Sequence, residues 1–400
     1  MAAPDLAEAP AIAEREATAP DEWLLLSEPD HGPLESEFVQ VALRAPRWSA
    51  GPMTERFERA FAQRHGRAHG VAVTSGTVAA WLALRALGIG AGDEVIASAY
   101  AWQPVAHAVT LAGARVVFAD IDYWSGCIDP ARAAAQVTPA TRALIAGNIN
   151  GHPAAWSGLR ALAQARGLAL IEDSTEALGS RYAGRPVGSF GDMSVFDFSA
   201  PSALCCGEGA MLLTDDDALA HELRGLRAHG LEERRSVSVG ARVPLQARLS
   251  EISAALGLAQ LARLDDILAR RQEVAAAYHE HILSFEGIKP PYVAPGVDEV
   301  HWMLYVIHLG KRFTASACAQ IVDDLRTECI EAALYSRPLH QQHAYAQQGW
   351  RRGQLPLAER IADRALALPL HGGLQADHVR FIVQTLKDSS INVGAGAAIY

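Results

Sequence analysis

Short apolar runs alternate with amphipathic stretches along the first half of the chain, and that rhythm predicts strands joined by helices. Pro52 to Gly66 reads as an amphipathic helix with Phe57, Ala60 and Phe61 on one face and Gly66 as its terminator. A strand at Gly70 to Val73 runs into Thr74-Ser75-Gly76-Thr77 and a helix from Val78 to Leu87. Further strands are predicted at Glu94 to Ala97, Ala114 to Ala119, Ala143 to Ala146 and Leu168 to Ile171. Helical patterns fall near Trp102 to Ala112, Pro130 to Gln136 and Pro153 to Ala165. Continuous apolar strands between helices specify an α/β domain whose mainly parallel sheet is covered on both faces.

The pattern then changes. A strand from Val195 to Phe198 breaks at Ala200-Pro201, turns at Gly207-Glu208-Gly209 and resumes through Leu213. A polar loop between two buried strands is a natural mount for chemistry, and its middle residue is Ser202. A helix follows from Asp216 to Arg227, and Ser250 to about His281 reads as one long helix. The predicted organisation is a disordered leader (1–22), a large α/β domain (23–250), a connecting helix (251–285), a smaller C-terminal α/β domain (286–388) and a loose tail (389–400).

Composition narrows the function classes. The chain has 400 residues, a net charge of −10 and no long Lys/Arg run, which argues against a nucleic-acid or anionic-membrane surface. The acidic, Ala/Pro-rich start lacks the basic and apolar regions of a signal peptide, so a cytoplasmic protein is expected. Five cysteines form no Cys-x-x-Cys pair and no Cys/His cluster, which predicts reduced thiols and no metal site.

Three strand ends carry candidate chemistry. Ser75, Gly76 and Thr77 open a helix, where free N–H groups make an anion cradle, although the same residues also serve as an ordinary N-cap. Asp173 ends the apolar strand of Ile171-Glu172-Asp173; an acid there either pairs with a protonated ring nitrogen or caps the next turn. Trp102 follows a third strand end and either stacks on a planar ligand or fills the core.

The ordered motifs Ser-Gly-Thr, Gly-Ala-Gly-Asp-Glu-Val-Ile, Tyr-x-Trp, Asp-Ile-Asp, Ile-Glu-Asp, Val-Gly-Ser-Phe-Gly-Asp and Cys-Gly-Glu-Gly continue into Arg248-Leu249-Ser250-Glu251-Ile252 and Tyr335-x-x-Pro-Leu-His340. Over about Leu24 to Leu386 this order resembles the DegT/DnrJ/EryC1/StrS aminotransferases. The resemblance implies the aspartate-aminotransferase-like fold of type I pyridoxal-phosphate enzymes, sugar or secondary-metabolite biosynthesis, and homodimers with interfacial active sites. It further implies that Gly76 and Thr77, with Ser75, cradle the cofactor phosphate, that Trp102 stacks on the pyridine ring and that Asp173 pairs with its nitrogen.

Four positions depart from the family pattern around that one ligand. The Schiff-base lysine is Ser202, which can neither form an imine nor act as the amine base. The phosphate-binding serine is Asp197, and two like charges about 4 Å apart repel by roughly 4 kcal/mol at an effective dielectric near 20. The Gln near the ring hydroxyl is Glu176, and the Asn lent by the partner subunit is Gln246. His107, one turn beyond Trp102, is a candidate substitute base beside a purely structural histidine. The resemblance brings Arg248 and the loop near His229 toward the neighbouring subunit's pocket.

Three expectations follow. A repurposed enzyme would use Asp173, Glu176, Asp197 and Glu208 as an acidic cup for an amine-bearing ligand or a hard cation. A second kind of enzyme would hold pyridoxal or pyridoxamine phosphate without a covalent tether. A third protein would be the non-catalytic partner of an active paralogue in a mixed dimer. Substrate-selecting residues are expected on Glu232 to Val243 and Arg337 to Tyr345.

Overall fold

A computed structural model describes residues 23–229, 243–283, 285 and 287–396. The large domain supplies strands β1 (His69–Val73), β2 (Glu94–Ser98), β3 (Arg115–Ala119), β4 (Thr141–Gly147) and β5 (Ala169–Asp173). A short hairpin, β6 (Arg181–Tyr182) and β7 (Arg185–Pro186), precedes β8 (Met193–Asp197) and β9 (Ala210–Thr214). Seven strands form the central sheet in the order β1-β9-β8-β5-β4-β2-β3. Only β9 runs against the rest, paired antiparallel to both β1 and β8.

Alternation along these strands explains the two covering layers. Val71, Val73, Met193, Val195, Ala210 and Leu212 face one core. Ala72, Phe196, Met211 and Leu213 face the other, against Phe57, Phe61 and Phe198. Each strand is apolar on both faces, as a doubly covered sheet requires.

The small domain adds β10 (Ile288–Lys289), β11 (Val297–Glu299), β12 (Tyr305–Leu309), β13 (Ala333–Leu334) and β14 (Ala365–Leu368). Four of these form an antiparallel sheet in the order β10-β12-β14-β13, with its own core of Tyr278, Tyr305, Ile307, Leu325 and Leu386 among others. The remaining strand, β11, pairs with β6 of the large domain.

Two expectations are corrected. The long helix from Ser250 is two helices, Glu251–Ala262 and Leu264–Ile282, broken at Arg263. The Arg263 guanidinium binds Glu35 at 2.7 Å and Asp30 at 2.6 Å, so the break is fastened to the N-terminal helix Pro33–Arg44, which the apolar pattern did not reveal. The loose tail is also overturned in part, because the last helix runs unbroken from Ala376 to Gly396. The predicted leader lies outside the described residues.

Candidate functional site

Strand register places two carboxylates side by side. In the parallel β5–β8 pair, Asp173 lies opposite Val195, and Asp197 is two residues further along β8. Residues two apart share a face, so Asp173 and Asp197 both project toward the side covered by the helix Gly76–Ala86.

The Asp197 carboxylate occupies the anion cradle itself. Its Oδ2 accepts the Gly76 N–H at 2.6 Å, and its Oδ1 accepts the Ser199 N–H at 2.7 Å and the Ser199 hydroxyl at 2.5 Å. A carboxylate at a helix N-terminus is favourable, because it meets unpaired donors and the positive end of the helix dipole. The approach is close enough to require glycine: a Cβ at Gly76 would lie 2.5 Å from Asp197 Oδ2. Ser75 is the helix N-cap, its Oγ accepting the Val78 N–H at 3.4 Å. Thr77, half-buried, follows in the first turn.

Asp173 and Trp102 meet as the motifs required. Both line one cleft with Gly76, Pro104, Ile145, Ile171, Thr175 and Val195. The cleft has only about 10 Å³ of open space, the scale of a single water. The Trp102 indole N–H is buried without a hydrogen-bond partner among the described residues. His107 is half-buried on the helix Gln103–Leu111 that follows Trp102, and it is not among the residues lining this cleft. The cleft therefore lends the substitute-base expectation for His107 no support.

Burial sets the charge state of the acids. It pushes the Asp173 carboxyl up to about 6, with the Asp197 and Glu172 charges adding and the Thr175 hydrogen bonds opposing. Burial also pushes Glu176 up to about 7, reinforced by Asp173 and opposed by two donors. Those donors are the Tyr335 hydroxyl and the Asn150 N–H, each at 2.5 Å from Glu176 Oε2. Glu172, on the opposite face of β5, is fully buried and accepts from Asn148, Ser174, Gly188, Phe190 and Gly191; it staples the loop rather than facing the cleft.

Ser202 sits next door. It lines a second narrow cleft with Thr175, Glu176, Arg271 and His301, and Thr175 is common to both clefts. Its Oγ accepts the Leu204 N–H at 3.3 Å. The chain has three lysines in all, Lys289, Lys311 and Lys387, and none precedes residue 289.

The acidic cup assembles only in part. Asp173, Asp197 and Glu176 cluster, but Glu208 is exposed on its turn. Among the described residues no three His, Cys, Asp or Glu side chains converge as metal ligands, so the hard-cation version of the cup has no support. Gln246 is exposed with φ of 64°, and Arg248 bridges Val73 through its main chain. His229 is half-buried, and the segment from 230 to 242, which holds most of the expected selectivity loop, is outside the described residues. Glu251 of the Arg-Leu-Ser-Glu-Ile motif is structural, accepting the N–H groups of Gly51, Met53 and Thr54. Tyr335, Asn150 and Ser199 were missed as partners of the site acids; the Tyr-x-x-Pro-Leu-His motif was the one signal that marked any of them.

Comparison with known proteins bears on this geometry. The model of the DegT/DnrJ/EryC1/StrS aminotransferase family matches residues 29–387. The spore coat polysaccharide biosynthesis protein SpsC of Bacillus subtilis (strain 168) is 35% identical over 378 residues, covering 92% of this chain and 97% of SpsC. Among solved structures, the aminotransferase TlmJ from Streptoalloteichus hindustanus superposes with a TM-score of 0.85 at 28% identity, covering 94% of this chain and 100% of TlmJ. DesV of S. venezuelae in complex with a ketimine intermediate gives a TM-score of 0.81 at 32% identity, over 89% and 94% of the two chains. Spr1654 from Streptococcus pneumoniae in its PMP-form gives 0.88 at 25% identity, over 94% and 99%.

Proposed function

The chain belongs to the DegT/DnrJ/EryC1/StrS aminotransferase family, and from that premise we propose that it is a pyridoxal-phosphate-independent member serving sugar or secondary-metabolite biosynthesis. The observation that carries this reading is the Asp197 carboxylate on the Gly76 N–H. A phosphate dianion entering the cradle would lose that donor and face a buried negative charge. With serine at position 202 and no lysine before residue 289, the residues do not fit a covalently held pyridoxal phosphate.

What the pocket offers instead is a pair of carboxyls with pKa values near neutrality. Asp173 at about 6 and Glu176 at about 7 exchange protons readily at physiological pH. An ammonium head, no larger than the single water each cleft admits, would supply the cation that burial withholds and draw both toward the ionised form, the rest of the ligand staying outside. We assign Asp173 and Glu176 to recognition of an amine-bearing small molecule, with Glu176, steadied by Tyr335, as the group that moves a proton. Asp197, Ser75, Gly76, Thr77 and Ser202 shape the pocket. The assembly is a cytoplasmic homodimer, with Gln246, Arg248, Glu208 and His229 bordering the partner's pocket. Among the described residues no helix is long and apolar enough to cross a membrane.

A second reading has its own support. Trp102, whose buried N–H has no partner among the described residues, and Asp173 still flank one cleft as a ring slot would need, which favours pyridoxal or pyridoxamine phosphate held non-covalently, in this chain alone or beside an active paralogue.

One set of measurements separates them. The purified protein is mixed with pyridoxal phosphate, its visible spectrum recorded and borohydride added, and glucosamine and glucose are titrated calorimetrically. The expected result is no cofactor retained and glucosamine bound in preference to glucose, with the preference lost in Glu176→Gln. Stoichiometric cofactor retention would overturn cofactor independence, and equal binding of the two sugars would overturn amine recognition.

A further inference from the structure

A proton that Glu176 gives up needs a route to solvent, because the carboxyl is buried and its own cleft admits about one water. A chamber of about 30 Å³ adjoins its hydrogen-bond partners. Tyr335 and Asn150, which both donate to Glu176 Oε2, line that chamber with Tyr100, Ile149, His152 and Val306. The volume is room for about two waters. Trp124, Pro291, Tyr292 and His308 line both the chamber and an open cleft of about 590 Å³. The cleft lies between the loop after β3 and the β10–β12 edge of the small domain, and Lys289, Lys311, Arg360 and Arg364 line it. The chamber thus joins the donors of Glu176 to a space wide enough for bulk water.

Strand register puts His308 at the outer end. On β12 it lies opposite Lys289 of β10 and Ala365 of β14, and it shares a face with Val306 two residues away. Its Nε2 is buried with no hydrogen-bond partner among the described residues. The other histidine of the chamber is fully engaged: His152 Nδ1 donates to the Pro153 carbonyl at 2.8 Å, and its Nε2 accepts the Ala294 N–H at 3.0 Å. The Tyr100 hydroxyl is also in use, donating to the Tyr335 carbonyl at 3.3 Å. An orphaned ring nitrogen beside a water-sized space is a place for a water to bind. Tyr335 Oη, which spends its proton on Glu176, keeps lone pairs to accept from another.

We propose that the chamber holds a short water chain that carries protons between Glu176 and the open cleft, with Tyr335 at its inner end and His308 at its outer end. The inference rests on the reading of Glu176 as the group that moves a proton. On the way out, protonated Glu176 donates to Tyr335 Oη as the phenolic proton passes to the first water. The second water, fixed by His308 Nε2, releases one proton to the cleft. Each O–H bond breaks as the next forms, so neither ring has to ionise. Burial and the Glu176 charge hold the Tyr335 phenol well above its ordinary value, and it stays neutral. Burial lowers His308 to about 4, and no carboxylate lines the chamber or the cleft to offset that. His308 is therefore a positioning residue for the last water.

Time-resolved infrared spectroscopy of the full chain tests it. A flash-released acid protonates Glu176, whose carboxyl C=O band is identified by its loss in Glu176→Gln. His308→Phe removes the ring nitrogens and keeps a similar shape. It is expected to slow the appearance of that band about tenfold or more, because the proton must then wait for the fold to open. The equilibrium midpoint of Glu176 should stay where it is, and His308→Gln, which restores a donor and an acceptor, should recover most of the rate. Unchanged melting temperatures would show both variants folded. Independently of any variant, about two waters should stand between Tyr335 and His308 in a high-resolution crystal structure. A dry chamber overturns the proposal, as does an unchanged rate in folded His308→Phe, or equal slowing by His308→Gln. Absence of any Glu176 band titrating near neutrality would overturn the proton-handling reading of Glu176, and this route with it.

Discussion

The acidic clefts beside β5 and β8 and the basic cleft beside β12 are built from the same materials by opposite routes. In the acidic region the charges are buried and bound to neighbouring donors: Asp197 by Gly76 and Ser199, and Glu176 by Tyr335 and Asn150. Open space there is about 10 Å³ in each of the two clefts. In the basic region the charges stand in a cleft of about 590 Å³, and none is neutralised by a described carboxylate. Buried charge costs free energy that hydrogen bonds must offset, so Asp173 and Glu176 shift toward neutrality. Solvated cations keep their charge and act at longer range. One region is tuned for proton exchange at close quarters, the other for attracting an anion.

The largest effect should come from reversing the acidic region. Asp197→Ser with Ser202→Lys removes the competing carboxylate and restores an amine. Removing one like charge at about 4 Å corresponds to roughly 4 kcal/mol, about a thousandfold in phosphate-ligand affinity. The double variant is expected to retain pyridoxal phosphate and show an aldimine band, whereas Ser202→Lys alone should not. An equal band in the single variant would show that Asp197 does not guard the cradle.

Stability should depend on pH with a sign set by the same acids. Asp173 and Glu176 are raised from ordinary values of 3.8 and 4.5 to about 6 and about 7. The native state therefore binds more protons than the unfolded chain between pH 4 and 7, and these groups make stability fall as pH rises through that window. Each contributes on the order of 3 kcal/mol at most. Chemical denaturation at pH 5 and pH 8 should show the loss, and Asp173→Asn and Glu176→Gln should each flatten it.

A smaller effect is expected at Tyr335. Its hydroxyl favours ionised Glu176, so Tyr335→Phe should raise the Glu176 titration midpoint by about one unit, the scale of one hydrogen bond to a charged group. NMR titration of the Glu176 side chain reads this directly, and an unmoved midpoint would remove Tyr335 from the proton-handling role. The smallest effect should cross between regions. Lys311→Ala, on the open cleft, should change glucosamine binding by less than about twofold. A larger change would show that the two regions are electrically coupled.

Much of the architecture was legible because it follows from local pattern. Apolar runs marked the parallel strands, and Pro201 with Gly207 and Gly209 marked the loop that mounts Ser202. Ordered motifs marked the family, and the substitutions at Ser202 and Asp197 were visible as departures. The break at Arg263 was not legible, because it depends on Glu35 and Asp30, more than two hundred residues away. The helix Pro33–Arg44 does carry an apolar stripe, Leu34, Phe38 and Ala42 at successive four-residue steps, blurred by the exposed Val41 and Leu43 beside it.

The site shows the same division. The sequence by itself determined which residues stand at the strand ends and that no lysine precedes residue 289, since both are properties of order and identity. Only the tertiary structure decided where the charges go. It set Asp197 on the Gly76 N–H, left Glu208 in solvent and gathered Lys289, Lys311, Arg360 and Arg364 around one cleft with Trp124. Hydrogen bonds and burial act over a few ångströms in space, and chain order does not encode which distant segments come that close.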